Sequence, residues 1–381
     1  KDLDAQKICN LKKVLVNLEI SINQKETQLL NYSDQQMLQQ FIEHQKSQDK
    51  LLAKINQTME RNLKDFKKDG KDVFNDQLQK RLRSQQDELK KNEKILEEIE
   101  KVISKINKED LAKKIHEMAK QSKNKQQSLK QLLELTKRYY ITKKLERINS
   151  KLKELSEAQE QLADKGIKAN NKSTQQALNE SFGLIRNELA ELKKDNEALV
   201  KPLQISDNEL LEEAIVKNQE EALGGLEEEK DVLDSEQDKK PPLKTQKSQK
   251  KAAQKMQLLT QKMSQNMSSA GAKQMSEDIE VLRQILDNLI LFSFEQEALM
   301  NQSLSLASNP RQYAEKLLMQ KSLRAHFEHV QDNLYSLSLR QPMISELISK
   351  EVAEVFFNID KSLALFSEMN SKKEFLLSNL Q

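Results

Sequence analysis

Apolar residues recur at alternating intervals of three and four along most of the chain, which is the spacing that places them on one face of an α-helix. A chain of 381 residues with only six Gly and five Pro has few places to turn, so its helices must be long. The sequence shows no strand-like alternation. We therefore predict an all-α fold with long antiparallel coiled-coil hairpins followed by a C-terminal helical bundle. The clearest apolar rows are Ile8–Ile22, Leu82–Ile106, Ile141–Leu162 and Leu178–Leu199.

Isolated glycines and a proline interrupt the helical pattern at Gly70, Gly166 and Pro202. Gly adopts the left-handed conformation found at helix ends, and Pro cannot continue a helix. We expect Gly166 to lie at or next to a reversal that joins two long antiparallel helices, because apolar rows flank it on both sides. Within those two rows only Gln159 and Asn196 depart from the apolar pattern.

The segment 224–250 is the strongest boundary in the chain, because it combines paired glycines and paired prolines with a sharp change of charge. Acidic residues precede it, whereas the stretch from Lys239 to Lys255 contains seven lysines and no acid. This composition predicts a flexible charged linker. The predicted domains are N-terminal long helices at 1–128, a coiled-coil hairpin at 129–223, the linker at 224–250 and a C-terminal helical bundle at 251–381.

The most apolar run, Ser276–Met300, carries a stripe wider than a coiled-coil seam needs, so the helix has to be covered on more than one side. Amphipathic helices after Pro310 and Pro342 are the nearest apolar faces that can cover it. We expect the run to form the buried centre of the C-terminal bundle. The apolar surface extends further round the helix, and the residues in that excess are candidate partner-binding residues. The stripe comprises Leu282, Ile285, Leu286, Leu289 and Phe292, and the excess comprises Ile290, Leu291 and Phe294.

Methionines form a loose row on the Lys- and Gln-rich helix before this run. Such rows occur in helix cores and also in grooves that repack around partners. The spacing favours a core and leaves a partner groove open. The row comprises Met256, Met263, Met267 and Met275, of which the first three are the candidate partner-binding residues.

Few residues have the spacing of a chemical site. His326 and His329 lie three apart on one helical face, a spacing that can hold a metal ion, but no cluster of further ligands accompanies them. The sequence contains no Gly-rich phosphate loop, nucleophile elbow or zinc signature. We predict no catalytic residue, no metal site, no cofactor and no enzymatic activity. Acidic pairs are expected on solvated faces, and examples are Glu295 with Glu297 and Glu351 with Glu354.

The charge content of the chain indicates which classes of partner it can bind. Lys and Arg number 63 against 60 Asp and Glu, so the net charge does not demand nucleic acid. The lysine run could attract phosphate or an anionic membrane surface, but neutralisation by the acidic stretch before it is the favoured interpretation. No aromatic residue is interleaved with the run, which argues against nucleic-acid stacking.

A single cysteine, Cys9, cannot form an intramolecular disulfide. Charges interrupt every apolar run, so we predict no transmembrane helix.

The run SEDIEVLRQILDNLILFSFEQEALM resembles the most characteristic motif of a Bacteroidota family of large membrane-anchored proteins of unknown function. Other stretches resemble the family in order, and together they cover most of the chain from Leu132 to the C-terminus. The N-terminal third is ordinary heptad sequence. These stretches are LLELTKRYYITKKLERINSKLKELSEAQEQLADK, ELAELKKDNEALVKP, KSQKKAAQKMQLLTQKM and DNLYSLSLRQPMISELISKEV.

The resemblance implies an inner-membrane protein with N-terminal transmembrane helices, followed by a long periplasmic region that ends in this helical part. The chain begins at Lys1 rather than Met, and we expect it to be a piece of a longer protein whose anchors lie outside it. The family has no established activity, so the resemblance transfers no catalytic residue. The expected partners are other envelope proteins, with a homo-oligomer also open.

Three functions fit these features. The first is a non-catalytic envelope scaffold or tether that docks protein partners through long helical arms and a C-terminal bundle. The second is a chaperone-like periplasmic holder of client proteins, which exposed apolar patches on the arms would favour. The third is an envelope hydrolase, which would need a concave pocket. Its candidate residues are Glu295, Glu297, His326 and His329.

Overall fold

The computed structural model describes residues 32–65, 72–102, 108–166, 169–227, 241–304, 310–344 and 346–367. Within these ranges the chain forms eight α-helices and no strand, so the all-α prediction is confirmed. None of the described helices is both long enough and apolar enough to cross a membrane. The helices are α1 (Tyr32–Asp65), α2 (Val73–Val102), α3 (Lys108–Asp164), α4 (Lys172–Glu197), α5 (Glu209–Glu227), α6 (Leu243–Leu304), α7 (Pro310–Ser338) and α8 (Glu346–Ser367).

The chain reverses next to Gly166, as predicted. Helix α3 ends at Asp164, and the backbone N–H groups of Ala169 and Asn170 donate to the Gly166 carbonyl at 3.0 and 2.9 Å. Asn171 then caps α4, because its side-chain oxygen accepts a hydrogen bond from the Thr174 backbone N–H at 3.0 Å.

Three contacts show that α3 and α4 run antiparallel. Gln159 contacts Gln175 near the reversal at 2.9 Å, and Lys151 pairs with Glu188 further along at 2.7 Å. At the far end Arg138 donates to the Lys201 carbonyl at 2.7 Å. The coiled-coil form of such hairpins stays a prediction.

The other predicted breaks have different outcomes. The segment that contains Pro202 separates α4 from α5, in keeping with the inability of proline to continue a helix. Gly70 lies outside the described residues. Of the predicted linker 224–250, residues 228–240 also lie outside the described residues. Its two ends belong to α5 and α6.

The chain forms two compact units. One consists of Lys1–Thr136 together with Val281–Gln381, and the other consists of Lys137–Glu280. These divisions differ from the boundaries that composition suggested, because α3 and α6 each contribute residues to both units. We call them the discontinuous unit and the continuous unit.

The continuous unit has an apolar core built from four helices. Residues from α3, α4, α5 and α6 pack in one cluster, in which Ile148, Leu152 and Leu192 are fully buried. Burial of apolar rows on four adjacent helices removes most of their apolar surface from water, which is the main stabilising contribution to such a bundle.

A buried layer of amides crosses this core, with one glutamine from each of the four helices. Gln159 and Gln175 exchange hydrogen bonds at 2.9 and 3.0 Å, Gln219 donates to Gln159 at 3.2 Å, and Gln249 donates to Gln175 at 2.9 Å. Asn170 completes the layer through two bonds with Gln249, at 2.9 and 2.8 Å. All five side chains are buried, so the layer satisfies polar groups that would be costly to leave unpaired. We call it the amide layer.

The discontinuous unit contains a second apolar core, which α6, α7 and α8 build together. An aromatic row crosses it: the rings of Phe292 and Phe327 lie 4.8 Å apart, and those of Phe327 and Phe356 lie 5.0 Å apart. Separations of this size are typical of favourable aromatic pairs. The helices after Pro310 and Pro342 therefore do cover part of the Ser276–Met300 run, as predicted.

Helices α1 and α2 belong to the same unit and pack against each other. Asn75 at the start of α2 donates to the Leu63 carbonyl at 3.0 Å, and Lys46 pairs with Glu100 at 2.5 Å. An ion pair between Lys350 and Glu88 joins α8 to α2.

Candidate interaction surface

Helix α6 is covered on one face only within the discontinuous unit. Ile285, Phe292 and Leu299 are buried against α7 and α8, and Leu289 packs partly buried beside them. These positions repeat every three to seven residues and so lie on one side of the helix.

A second apolar face of the same helix is exposed, which corrects the expectation that the run is buried all round. Leu282 is 38% exposed, Leu286 58%, Ile290 54% and Phe294 65%. The predicted stripe was wide enough for several covering helices, but α7 and α8 both lie on one side of it. Leu282 and Leu286, which we expected in the core, therefore face solvent. We call the exposed row Leu282, Leu286, Ile290 and Phe294 the α6 apolar stripe.

The α6 apolar stripe is long and regular. Its members are spaced four residues apart, so each lies about 40° further round the helix than the last, and the row extends about 18 Å along the axis. Leu291 is 55% exposed but lies about 60° beyond Phe294, at the edge of the row. Continuous exposed apolar surface of this kind marks interaction sites in soluble proteins.

The methionine candidates do not belong to this surface. Met256 is fully buried and Met263 is 5% exposed, and Met267 packs partly buried against the same core of the continuous unit. A partner cannot reach the buried sulfurs, so Met256 and Met263 are core residues, which was the favoured alternative.

The histidine and acid candidates lie on open surface. His326 Nδ1 is 3.6 Å from Glu295 Oε2, and both side chains are about half exposed at 58% and 42%. His329 and Glu297 are exposed on α7 and α6, and Glu351 and Glu354 are exposed on α8. Among the described residues no group of three or more His, Cys, Asp or Glu could hold a metal ion.

A cleft of about 690 Å³ lies in the continuous unit, beside α4 and the start of α5. Arg186 Nε pairs there with Glu212 Oε2 at 3.3 Å, and Lys193 pairs with Asp207 at 3.0 Å. The Lys193 hydrogen bond and charge lower the pKa of the Asp207 carboxyl. None of the acid–base candidates from the sequence lines this cleft. Sequence spacing could not find it, because its ion pairs join residues of different elements.

Comparison of the chain with family models, curated proteins and solved structures found no match.

Proposed function

We propose that this chain is a non-catalytic scaffold that docks a protein partner through the α6 apolar stripe. The observation that supports this is the exposure of four large apolar side chains in one row, on a helix whose other face is packed into a core. Exposed apolar residues are common singly, but a contiguous row on an ordered helix is typical of a recognition surface. Helix-in-groove recognition uses anchors at this kind of spacing.

The positions of the acid–base candidates favour scaffolding over hydrolysis. The His326–Glu295 pair lies on a half-exposed surface, whereas catalytic acids and bases depend on a cavity that excludes water. We therefore propose that the chain is not an enzyme. An assay of the purified chain against envelope ester, peptide and glycosidic substrates tests this, and turnover that His326→Ala abolishes would restore the hydrolase alternative.

The family resemblance supplies a proposed location for the scaffold. A periplasmic region held by an inner-membrane anchor outside this chain would act as a tether for other envelope proteins. Fractionation of cells that make the full-length protein tests the location. Recovery in the cytosolic fraction would contradict it without affecting the docking proposal.

Photo-crosslinking tests the docking proposal directly. A photoreactive residue in place of Ile290 should give specific crosslinked species, and Phe294→Ala should reduce them while leaving the melting temperature of the monomeric chain unchanged. The matched control is Leu318 on α7, which is 66% exposed but lies outside the stripe. If both positions give the same products, the stripe is ordinary surface.

The chaperone-like alternative is supported by apolar side chains exposed on the continuous unit. Leu184 on α4 is 65% exposed and Leu210 on α5 is 84% exposed. A holder of unfolded clients should suppress aggregation of a denatured test protein, and Leu184→Ser with Leu210→Ser should weaken that effect. A scaffold should show no suppression.

A further inference from the structure

We propose that the α6 apolar stripe binds a second copy of this chain, with the two α6 helices antiparallel about a twofold axis. This inference rests on the proposed docking function of the stripe and names its partner. A twofold interface uses the same patch on both copies, so the patch must be complementary to itself in shape and charge.

The spacing of the stripe is the same when read in either direction. Its four residues are separated by three equal steps of four, so a twofold axis level with Asn288 maps the row onto itself. Leu282 of one copy then faces Phe294 of the other, and Leu286 faces Ile290. Every exposed member of the stripe gains an apolar partner in this register.

The charges beside the stripe favour the same arrangement. Arg283 and Asp287 are exposed on the side of the stripe away from α7 and α8, and Glu297 is exposed just beyond its C-terminal end. The structure gives none of these three an ion-pair partner among the described residues. The twofold axis reverses the order of charge, so Arg283 of one copy lies alongside the segment of the other that carries Asp287 and Glu297.

A parallel pair lacks this complementarity. In a parallel arrangement the charged side of one helix faces the opposite side of the stripe on the other, where Leu282 and Leu286 carry no charge. Arg283 would then lie near apolar surface of the other copy and away from its acidic segment, which is less favourable. Charge placement of this kind commonly decides the orientation of paired helices.

Cysteine cross-linking of the full chain tests the register. In a Cys9→Ser background, Leu286→Cys mixed with Ile290→Cys should form a disulfide-linked dimer under mild oxidation, and each variant alone should form much less. Disulfides need Cα atoms within about 7 Å. Residues 286 and 290 lie one helical turn apart, so only the pair that is directly opposite across the interface should cross-link efficiently. Parallel pairing would give the reverse pattern, with each variant cross-linking to itself, and would overturn the proposed arrangement.

Sedimentation of the full chain tests the dimer itself. We expect a concentration-dependent dimer that Phe294→Asp weakens at least tenfold, while the equally exposed Leu318→Asp on α7 leaves it unchanged. Arg283→Glu should also weaken it, and combining Arg283→Glu with Glu297→Arg should recover part of the loss, because these two positions are too far apart on one helix to pair within a chain. A charge exchange that recovers nothing would contradict the antiparallel register.

Failure of this inference can be told apart from failure of the docking function. A chain that is monomeric at every concentration, yet photo-crosslinks from Ile290 to a different protein, overturns the dimer and keeps the docking function. A monomeric chain with no position-specific crosslink overturns both.

Discussion

Phe292 and Phe294 show how sharply the environment changes within two residues of α6. Phe292 is 9% exposed and lies in the aromatic row with Phe327, whereas Phe294 is 65% exposed. Residues two apart point to different sides of a helix, so the same side chain serves packing at one position and is available for recognition at the other.

The first prediction is a contrast between these two residues. Phe292→Ala should lower the free energy of unfolding by about 3–5 kcal/mol, because it removes a core ring and leaves a cavity. Phe294→Ala should change it by no more than about 0.5 kcal/mol. Urea unfolding of both variants, at a concentration low enough to keep the chain monomeric, measures the difference. Equal losses would mean that the α6 apolar stripe is buried.

Tyr335 on α7 gives a prediction at high pH. Burial raises the pKa of its phenol, and the nearby Glu134 carboxylate raises it further. Because the folded state favours the neutral phenol, this contribution to stability is complete below the ordinary pKa near 10. It is lost as the pH rises through the higher folded pKa. Absorbance titration of the wild type and Tyr335→Phe should identify one tyrosine that ionises late and is absent from the variant. A variant with an unchanged titration curve would contradict the assignment.

At the scale of the helices, the amide layer explains why a polar residue interrupts an apolar row, which the spacing of residues alone does not explain. Gln159 interrupts an otherwise apolar row on α3, and its partners Gln175 and Gln219 come from α4 and α5. Asn196 interrupts the row on α4 and exchanges two 2.8 Å hydrogen bonds with the Leu203 backbone. The spacing predicts each helix, because one face of a helix is a local property. The partners of its polar residues depend on distant segments and could not be read from it.

The number of helices that cover a face of α6 differs from what its apolar stripe predicts. The width of the apolar stripe predicts that Leu286 and Ile285 are both buried, and only Ile285 is. A wide apolar stripe shows how much surface is available to cover, but the number and side of the covering helices are set by how the chain folds back. The expected burial of Leu286 is therefore wrong, and the three residues of the excess, Ile290, Leu291 and Phe294, are exposed.

The amide layer yields the third prediction. Gln159→Leu should destabilise the continuous unit by about 1–3 kcal/mol, because it leaves the buried amides of Gln175 and Gln219 short of partners. The matched control is Gln176→Leu on α4, an exposed position that should change stability by no more than about 0.5 kcal/mol. Thermal unfolding of both variants is the measurement. A neutral Gln159→Leu would mean that the layer contributes no net stability.

At the scale of the whole molecule, the two compact units differ in how the chain supplies them. The continuous unit is one segment, Lys137–Glu280, with its own apolar core and the amide layer. The discontinuous unit consists of two segments, Lys1–Thr136 and Val281–Gln381. Composition placed its boundaries at glycines, prolines and charge changes, but a compact unit is defined by its packing, which can begin and end within a helix.

The fourth prediction follows from this organisation. A fragment comprising Lys137–Glu280 should fold alone, with a helical circular dichroism spectrum and a single cooperative melting transition. Its control is the fragment Lys1–Thr136, which lacks the other segment of its unit and should melt without cooperativity. A non-cooperative transition in the first fragment would show that its core is insufficient.

The discontinuous unit has a consequence for the order of synthesis. When residue 136 leaves the ribosome, the rest of its unit begins only after the 144 residues of Lys137–Glu280. At about 5–20 residues per second, this is a delay of roughly 7–30 s. During that time α1 and α2 are present without α7 and α8, which belong to the same unit. A nascent chain halted before Val281 should therefore be a substrate for ribosome-associated chaperones, and one extended past Ser367 should not.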